Sequence, residues 1–298
     1  MAPSSPSSSS SPSSPRSPRS PRSPGSASSA PCAPSAPPFP ASLSRDGVVT
    51  ALRAAGCVFA EEEAELLLAA AGDPTGLTAL VQRRVAGEPL ELVVGWAEFR
   101  GLRITVEPGV FVPRRRTEFL VEQALALAPD AAVVVDLCCG SGALGAALAD
   151  ALGDVEVHAA DIDPAAVRCA RRNLAPYGGH VHAGDLFGAL PGGLRGRIDV
   201  LAANVPYVPT GEVPLLPAEA RDHEPPAALD GGEDGLDVLR RVAAEAPRWL
   251  APGGLLLVET SERQAAAALA AFTRSGLAAR SAVSEQWYAH VVIGTRKR

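Results

Sequence analysis

The chain has 298 residues, with 28 Gly, 28 Pro and a formal net charge of −6. Residues 1–44 hold 18 Ser, 12 Pro and just three charges, Arg16, Arg19 and Arg22, so they cannot build an apolar core. Taking that +3 away leaves −9 on about 250 residues, ample for a sizeable core; this argues against wide, sequence-blind nucleic-acid binding, which needs a large basic surface.

The tail carries an Arg-Ser-Pro repeat at 16–24, and three charges bind little at physiological salt, so it reads as a solvated, polyproline-like linker. Ordered sequence begins near Leu43. Residues 46–55, 60–71 and 76–87 read as helices, the second with Glu61, Glu62 and Glu63 in its first turn, where carboxylates suit the helix dipole. Short apolar runs at 103–106 and 110–112 flank Glu107-Pro108-Gly109 and predict a hairpin. Residues 117–128 return to helical spacing. From residue 132 the chain alternates: strand 132–137, helix 142–152, strand 155–161, then a helix opened by Asp163 as N-cap and Pro164 at the first helical position. A short strand at Val181, a strand at 198–203, a helix at 234–249, a strand at 254–260 and a helix at 261–275 follow. Ser261 and Gln264 fit a capping box, and Val283 and 291–293 mark two last strands. Such alternation predicts an α/β fold with a mainly parallel sheet, whose ligands bind beyond the carboxyl ends of the strands.

Five cysteines, an odd number with no Cys-x-x-Cys, argue against a disulfide framework or a structural zinc, and reduced, cytosolic residence is the expectation. No metal site is expected. No apolar run reaches the roughly 18–20 residues needed to span a bilayer, so no membrane partner is expected.

The first strand of the alternating region ends in Asp136-Leu137-Cys138-Cys139-Gly140-Ser141-Gly142-Ala143-Leu144-Gly145. Gly140, Gly142 and Gly145 match Gly-x-Gly-x-x-Gly, and Asp161 follows at the end of the next strand, as in a dinucleotide site. Asp136 argues otherwise, because a pyrophosphate on that helix N-terminus would lie near a carboxylate. A phosphate-free ligand with a cationic amino-acid end fits better. S-adenosylmethionine is such a ligand: Asp136 would face its ammonium end, the glycines would let the backbone approach it, and Asp161 would accept from its ribose hydroxyls. Asp185 could accept from the adenine amino group, with Leu186 and Phe187 offering apolar surface to the ring.

The strand at 198–203 runs into Asn204-Val205-Pro206-Tyr207. A planar nitrogen, amide or exocyclic amine, has a delocalised lone pair and attacks poorly. The Asn204 side-chain oxygen and a backbone carbonyl can each accept one N–H, which aims the nitrogen at a sulfonium methyl and stabilises the charge that develops on it. Pro206 stiffens the corner and Tyr207 can stack on the planar group. Asn204, Pro206 and Tyr207 are therefore the candidate catalytic residues, and Asn204 to Tyr207 the substrate-binding set.

These motifs carry a resemblance. Residues 45–298 resemble the HemK-type protein glutamine methyltransferases, which methylate the side-chain amide of glutamine in peptide-release factors. The stretches concerned are Arg84 to Leu90, Pro108 to Arg114 with Thr117-Glu118, Asp136 to Gly142, Asn204 to Tyr207 and Glu224 to Leu236. The resemblance implies a Rossmann-like S-adenosylmethionine-dependent methyltransferase sheet, a helical substrate-recognition domain at 45–95, a hairpin linker at 96–116 and a methyltransferase domain at 117–298. It also implies a cofactor site lined by Cys138, Cys139, Gly140, Ser141, Gly142, Asp161, Leu186 and Asn204, and a release factor or related translation protein as partner. Three positions depart from the family pattern: Cys138 and Ser261 replace glycines and Val205 replaces a proline. Cys138 is tolerable if its dihedrals are ordinary. Together the departures point to a sister branch with its own substrate. The runner-up reading is methylation of an exocyclic base amine, adenine in particular. An oxidoreductase using the glycine loop and a cofactor-binding pseudo-enzyme are further rivals.

Overall fold

The computed structural model describes residues 43–298; the tail, with its Arg-Ser-Pro repeat, lies outside the described residues apart from Leu43 and Ser44. Four helices come first: α1 (Arg45–Ala54), α2 (Ala60–Ala70), α3 (Pro74–Val85) and α4 (Leu90–Val94). Ser44 caps α1 by accepting from the Gly47 N–H at 3.2 Å, and Asp73 caps α3 by accepting from Gly76 at 2.7 Å. Val48, Leu52, Ala64, Leu67, Val81 and Val93 close a small core of their own. Of the Leu66–Leu68 run only Leu67 is fully buried, as a helix with one inward stripe requires.

The hairpin differs from expectation. Its strands are β1 (Trp96–Phe99) and β2 (Leu102–Thr105), paired antiparallel with Phe99 opposite Leu102. The two turn residues, Arg100 and Gly101, both have positive φ (51° and 76°), the twist that two-residue hairpins prefer. The predicted partner run, Val110 to Val112, is no strand. Glu107 to Gly109 instead makes a tight turn, and Val106 and Val112 bury against Leu92 and Ala97.

The remaining elements are α5 (Glu118–Leu127), β3 (Val133–Leu137), α6 (Ala143–Leu152), β4 (Glu156–Asp161), α7 (Pro164–Leu174), β5 (His180–Ala183), β6 (Ile198–Ala203), α8 (Ala218–His223), α9 (Pro226–Leu229), α10 (Asp237–Trp249), β7 (Leu250–Thr260), α11 (Glu262–Arg274), β8 (Ala278–Ser284) and β9 (Ala289–Thr295). They build a seven-stranded sheet in the order β5-β4-β3-β6-β7-β9-β8, with β3 to β7 parallel and β9 antiparallel to both its neighbours. Strand residues alternate between two cores. Val134, Val200 and Leu257 pack with Leu120, Leu148 and Ala170 on one face; Val135, Leu201 and Leu256 pack with Leu239 and Phe272 on the other. Between β5 and β6 the chain makes two 3-10 turns, Leu186–Ala189 and Gly192–Leu194, where Gly188, Pro191, Gly192 and Gly193 discourage a full helix. The order reverses at β3, flanked by β4 and β6, which places a crevice beyond the carboxyl ends of these strands. Among the described residues no helix is long and apolar enough to cross a membrane.

Candidate active site

A cavity of about 750 Å³ opens at that crevice. The turn after β3 lines it with Cys138, Cys139, Gly140 and Ser141; β4 contributes Asp161, the turn after β5 contributes Asp185 and Leu186, and the end of β6 contributes Asn204 to Tyr207. The chain thus brings together nearly every residue singled out above. The exceptions are instructive. Asp136 and Gly142 do not line the cavity. Gly142 starts α6 at φ 78°, and a Cβ there would lie 3.0 Å from Ala170 Cβ, so its missing side chain lets α7 pack close. Phe187, expected beside the ligand, is instead buried in the core and stacked on Trp249, with ring centroids 5.5 Å apart.

Asp136 is fully buried beneath the loop. Its Oδ2 accepts from the Gly145 N–H at 2.9 Å, which removes a helix-start donor that a pyrophosphate would need. Among the described residues its Oδ1 has no partner. Burial, with a smaller push from Asp161, raises its pKa to about 8, against the downward pull of the Gly145 N–H. An orphaned carboxylate oxygen under a glycine loop suits a cationic ligand group, directly or through water, and suits a phosphate badly. Asp161 holds the loop from the side: Oδ2 accepts from Gly140 N–H and Oδ1 from Asp163 N–H, both at 2.9 Å. Burial raises its pKa while those N–H groups oppose the rise. Each oxygen keeps a lone pair for a ribose hydroxyl. Asp185 is paired with Arg241 at 2.5 Å, so an adenine amine would share that carboxylate with a guanidinium.

Cys138 has φ 57°, the left-handed region where an L side chain is strained. Its dihedrals are not ordinary, and the departure from glycine therefore has a cost, about 1–2 kcal/mol by sterics. Cys138→Gly should raise the melting temperature by roughly 2–4 °C for a chain of this size. Thermal unfolding checks it; an unchanged or lower midpoint would show that the loop carries no strain at this residue.

Asn204 ends β6 half-buried, with Nδ2 3.5 Å from Thr117 Oγ1, and this orientation leaves Oδ1 as an acceptor. The Tyr207 carbonyl is already taken by Gln264 Nε2 at 2.8 Å. The carbonyls of Val205 and Pro206 accept no backbone N–H among the described residues. Val205 itself is 2% exposed, so its replacement of proline alters the packing behind the corner.

The roof of the cavity differs from expectation, since Arg114 to Arg116 read in the sequence as a solvated charge run. Phe111, Arg114, Arg116 and Thr117 line the cavity from the linker, and Leu216, Pro217, Glu224 and Ala227 to Asp230 line it from the segment after β6. Arg114 ties the two through an ion pair with Glu224 at 2.6 Å, and Arg84 of α3 bonds both Glu63 and Glu219 at 2.7 and 2.8 Å. The runs Pro108 to Glu118 and Glu224 to Leu236 were visible as motifs, but nothing in their spacing says that they meet over a ligand.

Residues 101–213 match the family model described as the methyltransferase small domain. The chain is 43% identical over 199 residues to the release factor glutamine methyltransferase of Geobacter sulfurreducens, covering 66% of this chain and 69% of that protein. It is 39% identical over 203 residues to the 4-amino-L-phenylalanine/4-methylamino-L-phenylalanine methyltransferase of Streptomyces pristinaespiralis, with 66% and 69% covered. A methyltransferase structure from Pyrococcus furiosus superposes with a TM-score of 0.50 at 18% identity, over 67% of this chain and 91% of that one, which is a likeness of fold.

Proposed function

The chain belongs to the release factor glutamine methyltransferase family, and from that premise we propose that it methylates the side-chain amide nitrogen of a glutamine in a peptide chain release factor. The methyl donor is S-adenosylmethionine, which when bound supplies an electrophilic sulfonium methyl. Cys138 to Ser141, Asp161 and Leu186 would hold it, with the Asp136 carboxyl beneath the loop attracting its cationic end. Asp185 would serve the adenine. The observation that carries the reading is the placement of Asn204 on the same cavity as the carboxylate-flanked loop, with its amide turned so that Oδ1 is free.

Asn204 Oδ1 and the Val205 carbonyl accept the two N–H groups of the substrate amide. They turn the nitrogen lone pair toward the methyl and stabilise the positive charge that grows on nitrogen during attack. No strong base is needed beforehand, because the N–H proton becomes acidic once the new bond forms and can leave afterwards. The chain's contribution is chiefly alignment, which is worth several kcal/mol in reactions of this type. Pro206 and Tyr207 keep the corner rigid and wall the substrate side.

An arylamine nitrogen is also planar with a delocalised lone pair, and the Streptomyces pristinaespiralis relative favours a second reading in which a small aromatic amine enters the same corner. Base amines are disfavoured by charge. The cations around the mouth are matched by acids, Arg114 with Glu224, Arg116 with Glu259 and Arg241 with Asp185, which leaves little basic surface for phosphates. Incubation with labelled S-adenosylmethionine and, separately, a purified release factor, 4-amino-L-phenylalanine, DNA and RNA tests this. Label on a glutamine of the release factor is expected. Label on the arylamine or the nucleic acid, with none on the release factor, would replace the proposal.

A further inference from the structure

Tyr207 is held at both ends. At its hydroxyl, Arg116 donates from one guanidinium N–H, and the Tyr207 O–H donates to Glu259 Oε1 at 3.1 Å. Arg116 Nε donates to that same Glu259 oxygen at 2.9 Å, and its guanidinium sits 6.0 Å from the centre of the tyrosine ring. At the backbone, Gln264 Nε2 donates to the Tyr207 carbonyl at 2.8 Å and to the Asp234 carbonyl at 2.9 Å. Gln264 Oε1 is fixed in turn by the Ser261 hydroxyl at 2.7 Å.

Two features show that this arrangement is not incidental packing. Glu259 is 2% exposed and its Oε2 has no partner among the described residues, so the chain tolerates a costly half-satisfied carboxylate in order to present Oε1 to Arg116 and Tyr207. Gly235 keeps the other end open: a Cβ there would lie 2.2 Å from the Tyr207 carbonyl oxygen and 2.3 Å from Gln264 Nε2. Glu259 and Gln264 flank the junction of β7 and α11, so one rigid element grips both ends of the residue that walls the substrate side. Arg116 adds the linker to the same knot.

We propose that Arg116, Glu259 and Gln264 are positioning residues that brace Tyr207, and through it fix the Asn204 to Tyr207 corner against the substrate nitrogen. The proposal rests on the methyltransferase reading above for its kinetic consequence and on the contacts alone for its spectroscopic one. The brace acts on alignment, so its loss lowers kcat and leaves cofactor affinity in place.

The spectroscopic test follows the alkaline phenolate absorption of Tyr207, identified by difference against Tyr207→Phe. Burial and Glu259 hold the phenol protonated, while Arg116 favours its ionised form. Glu259→Gln, which keeps the shape of the side chain, should bring Tyr207 ionisation to lower pH. The kinetic test measures methyl transfer by the full chain. Arg116 is half-exposed, and Arg116→Ala should lower kcat about tenfold through misalignment, with cofactor Kd within about twofold of the parent. In a Tyr207→Phe background the same change should cost little more, because the hydroxyl it grips is gone. An unchanged phenolate titration in Glu259→Gln, or losses that simply multiply in the double variant, would overturn the brace. If the parent chain fails to methylate a release factor, the function proposed above falls, and the titration still decides the brace.

Discussion

Asn204→Ala should lower kcat for methyl transfer by about 10²–10³-fold while leaving S-adenosylmethionine affinity far less affected. The loss has two parts. Alanine removes the side-chain acceptor that Asn204 offers just beyond β6, and the substrate N–H it would have received becomes an unpaired donor in a partly buried site. Because the acceptor matters most when charge has built up on nitrogen, the effect falls on kcat more than on KM. Steady-state kinetics with isothermal titration of the donor separates the two. A variant that kept kcat and lost only donor affinity would place Asn204 in the cofactor site alone.

Asp136→Asn should do the opposite to binding and to stability. The carboxyl is buried with a pKa raised to about 8, whereas an unfolded chain ionises near 3.8. Between those values the unfolded state gives up a proton that the folded state keeps, so the stability this group allows falls as pH rises from about 4 to about 8 and is level beyond. The amide does not titrate. The melting midpoint of Asp136→Asn should therefore exceed that of the parent by a margin that widens from pH 5 to pH 8. Donor binding should weaken by tenfold or more, about 1.4 kcal/mol, for want of a carboxylate opposite the cationic end. The parent should release a proton when it binds the donor near neutral pH, because the cation draws Asp136 into its ionised form. Calorimetry in buffers of different ionisation enthalpy reads that proton directly. A pH-independent gap in midpoint, or binding without proton release, would mean that the cationic end lies away from Asp136.

The parts of this protein that could be read in advance are those dictated by local pattern. Asp163 and Pro164 at the start of α7, Ser261 and Gln264 at α11, and the run Ile198–Ala203 lie where their periodicity and capping residues put them. The glycine loop and the Asn204 corner meet at one cavity because each lies at a strand end, and strand ends in a parallel sheet converge. What escaped is set by tertiary context. The turn of the β1–β2 hairpin uses Arg100 in a left-handed conformation, without the Asn-Gly or Asp-Gly that usually marks such a turn. Cys138 likewise occupies positive φ, which no composition argument reveals. Asp136 and Asp161 look alike as acids at strand ends, yet Asp136 is fully buried off the cavity and Asp161 lines it. The roof over the cavity and the grip on Tyr207 join residues more than fifty positions apart, through side chains whose partners only the fold selects.

The decisive experiment is a crystal structure of the chain with the methyl donor bound. Ribose hydroxyls on Asp161, the amino-acid end over the glycine loop above Asp136, and the sulfur turned toward Asn204 Oδ1 are expected. A donor whose sulfur points away from Asn204, or whose amino-acid end lies remote from Asp136, would contradict the proposed function.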